Sequence, residues 1–145
     1  MSIIKMYATA AASTTLVSAS IDIQKDGLIY CVTLGVSAAE AGAVSLSGNA
    51  IGELSFASVP SFTTHDVRSS ICQVAAQFMG FTTTPGLGLP SVPLCVLSAV
   101  EIPVAAGERI FLHLQNNIST LDGSTAIAYL FIRDGLDRTP IRRRA

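Results

Sequence analysis

The stretch Leu16-Val-Ser-Ala-Ser-Ile-Asp-Ile-Gln-Lys-Asp-Gly-Leu-Ile-Tyr-Cys-Val-Thr-Leu-Gly-Val36 decides the fold class. Ile21 and Ile23 alternate with Asp22 and Gln24, the period-two signal of a strand with one face buried. Lys25-Asp26-Gly27 interrupts the pattern, and Asp-Gly supplies the positive φ that a tight hairpin turn demands. From Leu28 to Val36 the chain is rich in β-branched and aromatic residues, which suit a pleated, half-buried surface. This segment predicts two strands joined by a hairpin.

Working outward, the same grammar recurs. Ala43–Leu46 reads as a short strand, Gly48-Asn49 as a turn, and Glu53–Val59 as a strand stopped by Pro60. In Ser69–Phe78 the residues Ile71, Val74, Ala75 and Phe78 fit helical spacing and also a bulged strand, and the neighbouring strands favour the latter. Phe81–Pro93 has three prolines, three threonines and no periodicity, which predicts a long functional loop or arm. Leu94–Ile102 is again strand-like, and Val104–Arg109 is a turn. Ile110–Gln115 sets Ile110, Leu112 and Leu114 on one face and Phe111 and His113 on the other. Thr125–Arg133 is the last strand. Seven or eight short strands with regular turns predict an all-β, antiparallel β-sandwich. The organisation is an N-terminal arm or first strand over residues 1–15, a sandwich over 16–133, and an Arg-rich tail over 134–145.

Composition narrows the function classes. Of 145 residues, 50% are hydrophobic and 13% charged, against about 25% charged in an ordinary soluble domain. Disorder is excluded, because a disordered chain has low hydrophobicity and high charge. A net charge of -1 argues against a general nucleic-acid binder. A membrane span needs roughly 20 apolar residues, and the best run, Val92–Ala106, is broken by Pro93, Glu101 and Pro103. Burial between subunits is the remaining home for so much apolar surface, so an obligate oligomer is expected. Met1–Ser20 holds an Ala8-Thr9-Ala10 triplet, but Lys5 breaks the apolar run before it, and no secretory leader is expected. Asn117-Ile118-Ser119 matches a glycosylation acceptor that such a setting would not use. Cys31, Cys72 and Cys95 form no CxxC pair and sit in apolar strings, so they read as buried free thiols.

The motifs of catalysis are missing. His65-Asp66 lies near Ser61, Ser69 and Ser70, but no G-x-S-x-G occurs, and adjacent strand residues point to opposite faces. His113 is expected at a sheet surface or subunit contact, where it would serve as a pH-sensitive group. Gly86-Leu87-Gly88 lacks the third glycine and the helix of a phosphate cradle. The two histidines are far apart and the acids scattered, so no metal site, cofactor or catalytic residue is expected, and the chain reads as a protein that is not an enzyme.

The tail changes character. Residues 133–145 carry five arginines and two aspartates, a net of +3, which leaves -4 on residues 1–132 of a chain whose total is -1. Arg138, Arg142, Arg143 and Arg144 are the candidate partner-binding residues, since guanidinium forks suit carboxylates on an acidic neighbour.

One resemblance goes further than these patterns. Glu101-Ile-Pro-Val-Ala-Ala-Gly-Glu-Arg-Ile-Phe-Leu-His-Leu114 resembles the "V-x-x-G-D/E-x-I-x-L" turn and penultimate strand of jelly-roll modules, and a polar loop and last apolar strand, Ala126–Ile132, follow as they do there. Asp26-Gly27-Leu28-Ile29-Tyr30 is similar to their early hairpin. The pattern is shared by trimeric heads of the tumour-necrosis-factor and C1q type and by bacteriophage virion proteins, among them capsid decoration (cement) proteins and fibre tips. The resemblance covers about a third of the chain and is architectural, so it carries over no binding residue. It implies a jelly-roll-like sandwich and a structural virion role as a homotrimer on a major capsid protein, with no small-molecule substrate. Residues Met1–Thr15, the Phe81–Pro93 loop and the Arg138–Arg144 tail are the expected contact elements. The alternative is a carbohydrate- or receptor-binding module of a virion fibre or spike. The absence of Trp and the presence of only three tyrosines, Tyr7, Tyr30 and Tyr129, count against it.

Overall fold

The computed structural model describes residues 2–10, 16–38, 48–78, 94–118 and 124–134. Eight strands and one helical turn run in the order β1 (Ser2–Ala10), β2 (Leu16–Asp22), β3 (Gly27–Ala38), β4 (Gly48–Ser55), α1 (Ser61–Thr64), β5 (Ser70–Phe78), β6 (Leu94–Val104), β7 (Arg109–Ile118) and β8 (Ser124–Asp134). They form two four-stranded antiparallel sheets, ordered β1-β8-β3-β6 and β2-β7-β4-β5. The all-β sandwich is as expected.

The strand order has a simple origin. β1 pairs with β8, β2 with β7, β3 with β6 and β4 with β5. The first four strands and the last four therefore make one long antiparallel ribbon. Rolling that ribbon up brings β8 beside β3 and β7 beside β4, which closes each sheet. This is the double Greek key of a jelly roll.

The core lies between the sheets. Met6, Ala8, Val32, Leu34, Val36, Ala128 and Leu130 of the first sheet face Ala50, Leu54, Val74, Ile110, Leu112 and Leu114 of the second, all buried. Alternation along β7 puts Ile110, Leu112 and Leu114 inward, as the sequence pattern requires. Gly52 leaves room for Val36 between the sheets: a Cβ there would lie 2.8 Å from Val36 Cγ2.

Three local expectations change. The Leu16–Val36 segment is not a hairpin. β2 and β3 belong to different sheets, and Ile23–Asp26 crosses from one to the other as an arch. Asp-Gly permits a tight turn but cannot choose the partner strand. Here long-range pairing with β7 on one side and with β6 and β8 on the other decides. The arch is pinned by Asp26 Oδ1, which accepts from the Ala106 amide at 2.9 Å.

Gly48-Asn49 is also not a turn. It opens β4, which ends at Ser55, short of the expected Val59. Two glycines and an asparagine are weak strand formers, and pairing with both β5 and β7 overrides that preference. The expected Ala43–Leu46 strand and the Phe81–Pro93 loop lie outside the described residues. Met1–Thr15 does so in part, its residues 2–10 forming β1.

The turn before β7 is as read. The Glu108 amide bonds to Ala105 O at 3.1 Å, and Gly107 carries φ 95 at the third turn position, the conformation of a type II turn. The Gly107 amide donates to Ile23 O and the Ile23 amide to Glu108 O, both at 2.8 Å. Two residues thus oppose one, a glycine bulge that sets the register of β2 on β7.

Candidate functional site

Two surfaces stand out, one on the outer face of each sheet. On the sheet β2-β7-β4-β5, register places Ser18 opposite His113 and His113 opposite Glu53, and Glu53 opposite Gln73. This row faces away from the core, yet His113 and Glu53 are both fully buried. The cover is the connection from Phe56 to Ser69, folded back over the sheet.

The cover is held by the row itself. Glu53 Oε1 accepts from the Ser61 amide at 2.7 Å, and Glu53 Oε2 accepts from the Ser61 hydroxyl. His113 Nε2 bonds to Ala57 O at 2.9 Å, and Nδ1 to Ser18 Oγ at 2.7 Å. A carbonyl oxygen only accepts, so Nε2 carries the proton, and in the neutral ring Nδ1 accepts from the Ser18 hydroxyl. Phe111 stacks on the imidazole, with centroids 5.7 Å apart and planes 4° from parallel. The Ala57 amide donates to Ser55 Oγ at 2.9 Å, and the Phe56 amide to Ser69 O at 3.0 Å.

His113 therefore departs from the expectation of a sheet-surface group. Alternation did place it on the outer face; the connection then buried it. His65 ends α1 with φ 62 and is exposed. Its neighbour Asp66 forms a two-pronged ion pair with Arg68, at 2.9 and 2.7 Å. That guanidinium holds the exposed Asp66 carboxyl below the usual aspartate range. The Ser61 hydroxyl meets Glu53, and His65 reaches Ser61 only through its backbone amide, so the structure does not assemble a His65-Asp66-Ser61 group. Among the described residues no three His, Cys, Asp or Glu side chains cluster to hold a metal. Cys31 and Cys72 are free and half-buried, and burial pushes the Cys72 thiol up.

On the other sheet the outer face is rich in exposed apolar and aromatic side chains, with Lys5 among them, its Nζ 6.0 Å from the Tyr7 ring centre. Ile3 pairs with Phe131, Lys5 with Tyr129 and Tyr7 with Ile127 across β1 and β8. Tyr7 is 64% exposed, Ile3 57%, Ile127 38% and Tyr129 36%. Tyr30 bulges from β3 onto the same sheet beside Phe131, with ring centroids 6.3 Å apart, and the Arg133 guanidinium sits 5.2 Å from its ring centre. Exposed aromatic and aliphatic side chains grouped on one face make it a candidate interaction surface. The signal lay in the alternation Tyr129, Phe131 and Tyr7, Ile3, which reads equally well as an inner face until the partner strands are known. Arg138, Arg142, Arg143 and Arg144 lie outside the described residues.

No protein-family model matches this chain, and no curated protein matches it. Solved structures with a similar fold include a CocE/NonD family hydrolase from Staphylococcus aureus, with 6% identity and TM-score 0.47 over 90% of this chain and 33% of that one. The chain thus spans a third of the hydrolase. A second is the K3 cleaved adhesin domain of Lys-gingipain from Porphyromonas gingivalis, with 8% identity and TM-score 0.41 over 85% and 73%. A third is desmodium yellow mottle tymovirus, with 11% identity and TM-score 0.36 over 89% and 86%.

The hydrolase corrects the expectation that this chain is not an enzyme: with one among the similar structures, that exclusion is withdrawn. At these scores none of the three gives the chain an activity. Among the described residues no helix is long and apolar enough to cross a membrane.

Proposed function

We propose that this chain is a structural virion protein, a decoration or cement subunit that self-associates and binds the major capsid protein. The observation that carries the reading is the apolar outer face of β1 and β8, where Ile3, Tyr7, Ile127 and Tyr129 stand exposed on a rigid sheet. Aromatic residues on such a face are the usual anchors of a protein interface. The double Greek key is an architecture used by capsid and lectin domains, in keeping with the resemblance carried by residues 101–114. A homotrimer is the assembly that the resemblance implies.

The mechanism is mechanical. Copies bury their apolar faces on one another, and the assembly then spans joints of the shell. Arg138, Arg142, Arg143 and Arg144 supply charge for acidic capsid surface, opposite in sign to the rest of their own chain. Washing purified particles at rising ionic strength tests this, with the full chain compared with one ending at Asp137. The full chain stays bound at physiological salt, and the shortened chain is released at lower salt. Equal release of both at every salt removes the tail from the interface, and absence of the chain from particles overturns the reading.

A further inference from the structure

The outer row of the second sheet holds a group that capsid binding does not use. Ser18 is exposed, while its hydrogen-bond partner His113 is fully buried. Counting in twos from the hydrogen-bonded pair of Ile23 and Glu108, Ser18 and His113 form a non-hydrogen-bonded pair, where opposite side chains are closest. The ring is fixed on every side: Ala57 O holds Nε2–H, Phe111 covers a face, and Glu53 stands at the next paired position. A nucleophile within reach of a base, and a base oriented by a third group, is the arrangement that activates serine.

We propose that Ser18 and His113 form a nucleophile–base pair that cleaves esters of small carboxylic acids. The Ser18 oxygen bonds to the acyl carbon as its proton passes to His113 Nδ1. The ester C–O bond breaks, and the leaving alcohol takes that proton. Water then attacks the acyl-serine, giving its proton to Nδ1, and the serine hydroxyl is restored as the acid departs. The sum is ester plus water to acid plus alcohol. Ala57 O, by accepting from Nε2–H, holds the ring with Nδ1 toward Ser18, the positioning that the orienting acid provides in a serine triad. Among the described residues β2 is an edge strand, and in a non-hydrogen-bonded pair the Ser18 amide points to that edge, where it is placed to donate to the developing oxyanion.

The test uses the full chain with p-nitrophenyl acetate, followed by p-nitrophenolate release and by peptide mass spectrometry. An acetyl group on Ser18 is expected. Ser18→Ala lowers release by about a hundredfold, the ordinary contribution of a positioned base and its nucleophile, with an unchanged circular dichroism spectrum. Ser18→Cys, which restores a nucleophile beside Nδ1, regains acylation. Acetylation confined to lysines or the N-terminus, or equal release by Ser18→Ala, overturns the proposal. Self-association plays no part in this readout, so either proposal can fail without the other.

Discussion

Glu53 and His113 stand opposite one another on β4 and β7, on the face of the sheet that turns away from the core, and both are wholly buried. A second, polar layer thus lies under the Phe56–Ser69 connection. Polar groups taken out of water need partners, and both find them in that connection. Its position is therefore set by side chains of the sheet beneath it, Glu53 and His113 with Ser55 at the end of β4.

Replacing Glu53 tests that anchor. In Glu53→Ala the Ser61 amide and hydroxyl lose their acceptor inside a buried site, which costs about 2–3 kcal/mol. Glu53→Gln keeps an acceptor and loses less. Urea denaturation measures both, and hydrogen exchange at Ser61 should quicken in the alanine variant. Wild-type stability in Glu53→Ala would mean that the connection is held from elsewhere.

Gly52 tests the spacing of the sheets. A methyl there meets Val36 Cγ2 at 2.8 Å, and a buried valine has little rotamer freedom with which to give way. Gly52→Ala should destabilise by about 1–3 kcal/mol through overpacking. Pairing it with Val36→Ala should recover part of the loss. Thermal melts of the two single variants and the double variant decide it.

Asp66 tests the pair at the end of α1. Arg68 lowers its carboxyl in the folded chain. A depressed acid contributes at pH values above its unfolded value, and the contribution is lost as pH falls through the folded one. An NMR titration should place Asp66 below the ordinary aspartate range, and Arg68→Ala should return it. Asp66 is exposed, so overall stability should barely respond.

Much of the fold is legible in residue order. Ile110, Leu112 and Leu114 announce β7, and the Val104–Arg109 turn is readable from Gly107. Partner choice is not legible at Asp26-Gly27: the same two residues serve a hairpin or an arch, and distant strands decide which. β4 hides behind its glycines because its stability comes from β5 and β7, not from its own propensity. The site was half visible. Alternation set His113 on the outer face, but nothing in its neighbourhood shows that residues 56–69 return to cover it. Ser18 and His113 are 95 positions apart, and only the β2–β7 register joins them. The apolar outer face was anticipated only as surplus hydrophobic composition, without a location.

The mass of the purified chain in solution, by size-exclusion chromatography with light scattering, tests the central claim most directly. It is measured beside Tyr7→Asp, which replaces an exposed ring of the β1–β8 face with a carboxylate without touching the core. A closed oligomer is expected, a trimer by the resemblance, and it falls to a folded monomer in Tyr7→Asp. A wild-type monomer, or an oligomer that Tyr7→Asp leaves intact, would contradict the assignment of this face as the self-association surface.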